Sequence, residues 1–142
     1  MKDAASFHAA LQGNIDCYLE TVPSEELNAW ADRGWAEDAG LGFDESCVKY
    51  LALVLLDAVG SSAREIVLEA GCPARVISGC GEHMLPAVPE SVFTRGMEIL
   101  CNICGIEGER SGGTLALGIR GDSLELNIER SGGLHKILLP PL

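Results

Sequence analysis

The sequence predicts an α+β fold in which N-terminal helices precede a helix–strand–strand–helix–strand–strand–strand run with an antiparallel sheet. Three observations predict it. Apolar residues recur at steps of three and four up to Gly60, and again over 89–105. Elsewhere after Gly60, short runs rich in β-branched and aliphatic residues take over, some alternating with polar residues at period two. Glycine-containing pairs and triplets separate these runs at hairpin spacing.

Taken in order, residues 3–21 read as a helix. Phe7, Leu11, Ile15, Tyr18, Leu19 and Val22 make one apolar stripe, with Pro23 as its end. Ser24 reads as the N-cap of a second short helix, with Glu25 and Glu26 in the favoured first turn, running to about Arg33 before Gly34. The stretch WAEDAGLGF reads as a loop. Asp44 reads as the cap of a helix over 45–59. Val48, Leu51, Ala52, Leu55 and Val59 give it one apolar face, and Leu53, Val54 and Leu56 carry apolar character around the rest. A helix apolar on most sides is expected to be central and buried.

EIVLEA and ARVISG follow as a predicted hairpin about Gly71-Cys72-Pro73, and GCGEHMLPAV as a loop. Pro89 opens a second amphipathic helix bearing Phe93, Met97, Leu100, Cys101 and Cys104. TLALGI, SLELNIE and LHKILL are the last three strands, with turns at Gly121-Asp122 and Ser131-Gly132-Gly133. Leu124, Leu126 and Ile128 alternate with Glu125, Asn127 and Glu129, so that strand has one wet face. The organisation expected is a helical extension over 1–42 and an α+β module over 43–142. This element order occurs in the PAS, profilin and roadblock-like group of small sensor and scaffold domains, which by itself assigns no function.

The formal charge of −11 repels phosphate backbones and anionic headgroups. It argues against nucleic acid and membrane surfaces as partners, and makes a basic protein partner easier to accommodate. The start, MKDAASFHAALQGN, has no apolar core ahead of a cleavage site. The longest apolar run, Tyr50–Leu56, falls far short of the ~20 residues that span a bilayer. A cytoplasmic location without membrane insertion is therefore expected, with the six cysteines reduced.

No complete catalytic motif is present, and a non-enzymatic protein is expected. Cys101-Asn-Ile-Cys104 is a CxxC. Together with Cys80, His83 and Cys72 it offers thiolate and imidazole ligands of the kind a tetrahedral zinc takes. Cys101 and Cys104 also fall on the inner stripe of a helix beside Leu100 and Met97, where the same spacing describes two packed thiols. A redox role would need the pair at a helix N-terminus, and it lies at the C-terminal end. Cys80 and His83 are the one adjacent nucleophile–base pair, without an evident orienting group. Glycines 79, 81, 112 and 113 read as turn residues, and Glu65, Glu69, Glu125 and Glu129 as the solvated face of a sheet. Trp30 and Trp35 either cap the helix over 45–59 or form a docking element for a partner or second copy.

The segment VKYLALVLLDAVGSSAREIVLEA, from Val48 to Ala70, resembles the entry to the N-terminal PAS-like domain of the type II secretion and type IV pilus assembly ATPases. In that family an apolar helix leads through a short turn into a strand of the form S-D-I-H-I-E, and Arg64-Glu65-Ile66-Val67-Leu68-Glu69 stands in its place. Arg75 and Gly79, with Met84-Leu85-Pro86, are similar to the family's second strand and its continuation. VFTRGMEILCNICGIEGER resembles the next helix, ending near Glu109 and Arg110, and GGTLALGI with SLELNIE resembles the last hairpin. Two departures matter. The chain has no glycine-rich loop ending in Gly-Lys-Ser/Thr, and Thr114 and Asn127 stand where the family carries arginines near the nucleotide, leaving Arg110 as the plausible survivor.

The resemblance implies a stand-alone relative of the non-catalytic domain that hydrolyses no nucleotide and binds a protein, such as a secretion or pilus component. Arg75 and Arg110 join Trp30 and Trp35 as interaction residues on that reading. Homo-oligomer formation is expected from the largely apolar strands and from LHKILLPPL at the end. Two other functions fit the same residues. One is a zinc or redox sensor built on Cys72, Cys80, His83, Cys101 and Cys104. The other is a small-molecule-sensing PAS-like domain, which would need a pocket between the sheet and the helix over 90–104. Zinc is the one cofactor the sequence suggests.

Overall fold

The computed structural model describes residues 4–35, 42–106, 111–119 and 121–140. Four helices and six strands follow one another as α1 (Ala4–Cys17), α2 (Pro23–Asp32), α3 (Phe43–Gly60), β1 (Ala63–Glu69), β2 (Ala74–Ser78), β3 (Gly81–Leu85), α4 (Glu90–Cys104), β4 (Gly112–Ile119), β5 (Asp122–Ser131) and β6 (Leu134–Leu138). The fold is α+β, with N-terminal helices before the strands and a single antiparallel sheet in the order β3-β2-β1-β6-β5-β4. Two three-stranded meanders, β1–β3 and β4–β6, meet where β1 pairs with β6. The connection through α4 carries the chain from one edge of the sheet to the other. Among the described residues no helix is long and apolar enough to cross a membrane.

α3 is the centre of the core. Twelve of its residues are buried, on every side of the helix, as its apolar composition predicts. α1, α2 and α4 pack around it, and it also rests on β1 and β2. Phe7, Leu11 and Ile15 of α1 and Leu27 and Trp30 of α2 belong to the same apolar cluster as the strands, so the N-terminal helices share one core with the sheet. Lys49 is buried in the middle of α3. Its ammonium lies 4.8 Å from the Trp30 ring centroid and 5.5 Å from that of Tyr18. Two aromatic faces set against one cation offset part of the cost of removing it from water.

The fold departs from the sequence expectations at five places. The segment GCGEHMLPAV, expected as a loop, contains β3, which pairs with β2 from Ala74↔Leu85 to Ser78↔Gly81. Glu82, His83 and Met84 are all exposed, so this edge strand carries no apolar alternation to mark it. Pro23 does not end α1, which closes at Cys17. It is the first residue of α2, where its missing N–H has no partner to lose. Ser24 is accordingly not a cap: Val22 holds that position, and no side chain caps the helix. Asp44 likewise does not cap α3, which starts two residues earlier, at Phe43, with Gly42 in the cap position. Its carboxylate accepts from Arg95 of α4 instead, at 2.8 and 3.1 Å.

Gly112 and Gly113 are not turn residues but the first two positions of β4. A Cβ on Gly113 would stand 2.5 Å from the carbonyl oxygen of Cys104 and 2.9 Å from Ile106. The glycine lets the last turn of α4 rest directly on the strand, in line with the general use of glycine where two backbones approach closely.

Candidate functional site

The register sorts the strand residues into two faces. Ile66, Leu68, Val76, Leu85, Leu115, Leu117, Leu124, Leu126, Ile128 and Ile137 are buried against the helices. Their neighbours point the other way, and among the described residues no helix or strand covers them. On that outer face the partly exposed Met84, Ile77, Leu134 and Leu138 lie diagonally about a buried Val67. Met84 is 58% exposed. Charged residues alternate with them across the strands: Glu65, Glu69 and Glu82, with Glu125 and Glu129 beyond, and the two cations Arg75 and Lys136. Arg75 lies 3.8 Å from Glu82 and Lys136 3.8 Å from Glu65, both in solvent, where such pairs contribute little.

The two sheet edges differ. At β4, α1 lies alongside, and two of its side chains bond the strand's outward backbone. His8 Nε2 donates to the Ala116 carbonyl at 2.6 Å, and the Gln12 amide both donates to and accepts from Gly118. At β3 no described strand or side chain bonds the outer edge.

A cavity of about 290 Å³ opens between α4 and the β5–β6 hairpin. Phe93, Met97 and Cys101 come from one stripe of α4; Arg130 and His135 face them from the sheet. Arg130 and His135 are cross-strand partners on either side of the hairpin turn. His135 is 8% exposed, its ring meets Phe93 edge-on at 6.5 Å, and its Nδ1 is buried with no hydrogen-bond partner among the described residues. An unmet buried nitrogen of this kind costs about 1–3 kcal/mol. Burial, and then the nearby Arg130 charge, hold the imidazole pKa below its ordinary value. Arg130 Nη1 stands 4.0 Å from Cys101 Sγ. Burial raises the Cys101 thiol pKa, with Arg130 pulling the other way; Cys104 is pushed up to about 12 by burial and by Cys101.

The residues suggested for zinc sit on different elements, apart from Cys101 and Cys104 in the last turn of α4. Cys80 sits exposed at the β2–β3 turn, lining a separate cavity of about 300 Å³ with Ser61, Arg64 and Ser78. His83 is bound to Asp57 of α3 at 2.6 Å, and Cys101 faces the α4 cavity. Cys72 is exposed in the β1–β2 turn. Among the described residues no three His, Cys, Asp or Glu side chains converge as a metal ion requires.

Of the interaction residues, Trp30 is buried with its ring 4.8 Å from the Lys49 ammonium of α3, and the partly buried Trp35 packs edge-on to it at 5.1 Å. Arg75 is exposed on the outer sheet face. Arg110 lies outside the described residues. Thr114 and Asn127 face each other across β4 and β5.

Arg130 and His135 were not singled out from the sequence. Their signal was parity. Arg130 shares the inward positions of Leu124, Leu126 and Ile128, and His135 that of Ile137, so a cation and an imidazole sit where the pattern calls for apolar side chains.

No protein-family model matches the chain, and no curated protein matches its sequence.

Proposed function

We propose that the chain is a non-enzymatic interaction module that works in the cytoplasm and presents the outer face of its sheet to a basic protein partner. The observation that carries this reading is the uncovered face itself. Among the described residues the six strands have helices on one side only, and the other side interleaves apolar side chains with five glutamates and two cations. Uncovered faces that mix exposed apolar side chains with charge suit protein-binding surfaces. The glutamates and the overall charge of −11 favour a partner of opposite sign, for which electrostatics would speed encounter. The edge of β3, unbonded among the described residues, is where a second copy would add, in line with the homo-oligomer that the apolar strands suggest. The resemblance to the non-catalytic domain of secretion and pilus ATPases supports the same reading and suggests a component of such a machine as the partner.

Photo-crosslinking residues placed in turn at Ile77, Met84 and Leu134, and at the exposed helix positions Asn28 and Asn102, test it in cells. Crosslinked protein species are expected from the sheet positions alone. Equal yields from the helix positions would sink the proposal. Sedimentation velocity over a range of concentrations checks the self-association; a concentration-independent monomer counts against that part.

A further inference from the structure

We propose that the cavity between α4 and the β5–β6 hairpin is a binding site for a small, mainly apolar monocarboxylate, held by Arg130 and His135. The inference is independent of the protein-binding surface, which lies on the opposite face of the sheet.

Three features point to this ligand. The walls supplied by α4 are apolar and include the Phe93 ring and the Met97 thioether, so the body of the ligand must be hydrocarbon-like. Arg130 places a guanidinium at the same cavity, and a guanidinium recognises carboxylates through paired N–H donors. His135 lines the cavity with its Nδ1 buried and unbonded among the described residues. Nδ1 is shielded from solvent, so a ligand reaches it when the ring turns toward the cavity; a neutral imidazole with its proton there then donates to one carboxylate oxygen and Arg130 to the other. The His135 nitrogen gains a partner that no described residue supplies.

The charge and size of the ligand follow from the same residues. Glu98 stands at the cavity and disfavours a second negative charge, which argues against phosphates. A volume of about 290 Å³ lies at the small end of the range for ligand sites, fitting an acid of a few carbons and not a long-chain lipid.

The test is a titration of the full ¹⁵N-labelled chain with hexanoate, with 1-hexanol as its uncharged match. Saturable amide shifts are expected over residues 93–101 and 130–135, with hexanol at least about tenfold weaker, the usual scale for losing a charge-assisted contact. Arg130→Gln should weaken hexanoate by about tenfold or more and leave hexanol unchanged. Met97→Trp, which fills the cavity, should abolish both. Absence of saturable shifts up to about 10 mM, equal affinities for acid and alcohol, or shifts centred elsewhere would each overturn the proposal. The acid–alcohol comparison on the unaltered chain decides the matter even where Arg130→Gln fails to fold.

Discussion

Gln12 pairs with Gly118 as a neighbouring strand would: its amide nitrogen donates to the Gly118 carbonyl at 2.7 Å, and its amide oxygen accepts the Gly118 N–H at 2.9 Å. One turn earlier on α1, His8 bonds the Ala116 carbonyl. A helix thus meets part of the hydrogen-bonding needs of an edge strand, at Ala116 and Gly118, through two side chains at i and i+4 spacing.

Gln12→Ala should therefore cost about 0.5–1.5 kcal/mol, the net worth of such partly solvated bonds. Its more specific signature is local: the Gly118 amide should exchange with solvent faster than in the unaltered chain, while amides of α3 keep their protection. Unchanged exchange at Gly118 would show that the pairing contributes nothing in solution.

Gly113→Ala places a methyl group where the Cys104 carbonyl and Ile106 already stand. Neither can retreat without lifting the end of α4 from β4. The expected loss is about 1–3 kcal/mol, typical of overpacking, measured by urea denaturation. Gly60→Ala is the control, because a Cβ there meets nothing within 4 Å.

His135 sets a pH dependence. Its folded-state pKa lies below the ordinary 6.5 of the unfolded chain. As the pH falls below that value, the unfolded chain takes up a proton that the folded chain resists, so this group's contribution to stability falls. Replacing it with phenylalanine should remove that component. The stability difference between His135→Phe and the parent should grow in favour of the variant between pH 7 and pH 5.5, by denaturation at each pH. A difference independent of pH would contradict the burial and charge environment described for this ring.

The six thiols should divide into two classes. Cys17, Cys72 and Cys80 are exposed, whereas Cys47 and Cys101 are buried and Cys104 is partly buried with its pKa raised to about 12. Only thiolates react, so a disulfide reagent at pH 8 should label the first three quickly and the others at the rate of opening. Fast labelling of Cys104 would show that the end of α4 is less well packed than described.

Where the sequence was legible, a long pattern made it so. The all-round apolar character of α3, the stripe of α4 and the alternation in β5 each repeat over enough residues to mark both the element and its buried face. What was hidden depended on single residues whose partners are distant in sequence. Nothing near Asp44 distinguishes a cap from an ion pair with Arg95, fifty-one residues on. Nothing in Gly112-Gly113 distinguishes a turn from a close helix contact. β3 was invisible because both its faces are wet at Glu82, His83 and Met84. The cavity was half legible: its α4 wall is a predicted stripe, while Arg130 and His135 become neighbours only once the β5–β6 register is set.

The contrast between the two ends of the sheet also limits how the molecule can assemble. Growth by strand addition needs an open edge at each end of every unit, one to receive and one to offer. Here the far half of β4 is taken up by the chain's own Gln12 and His8, which leaves β3 the more open edge. Two copies joined through β3 would form one continuous sheet of twelve strands with α1 alongside each outer strand. α1 is in this sense a terminator: it lets the protein expose one edge strand while disfavouring edge-to-edge association beyond a pair.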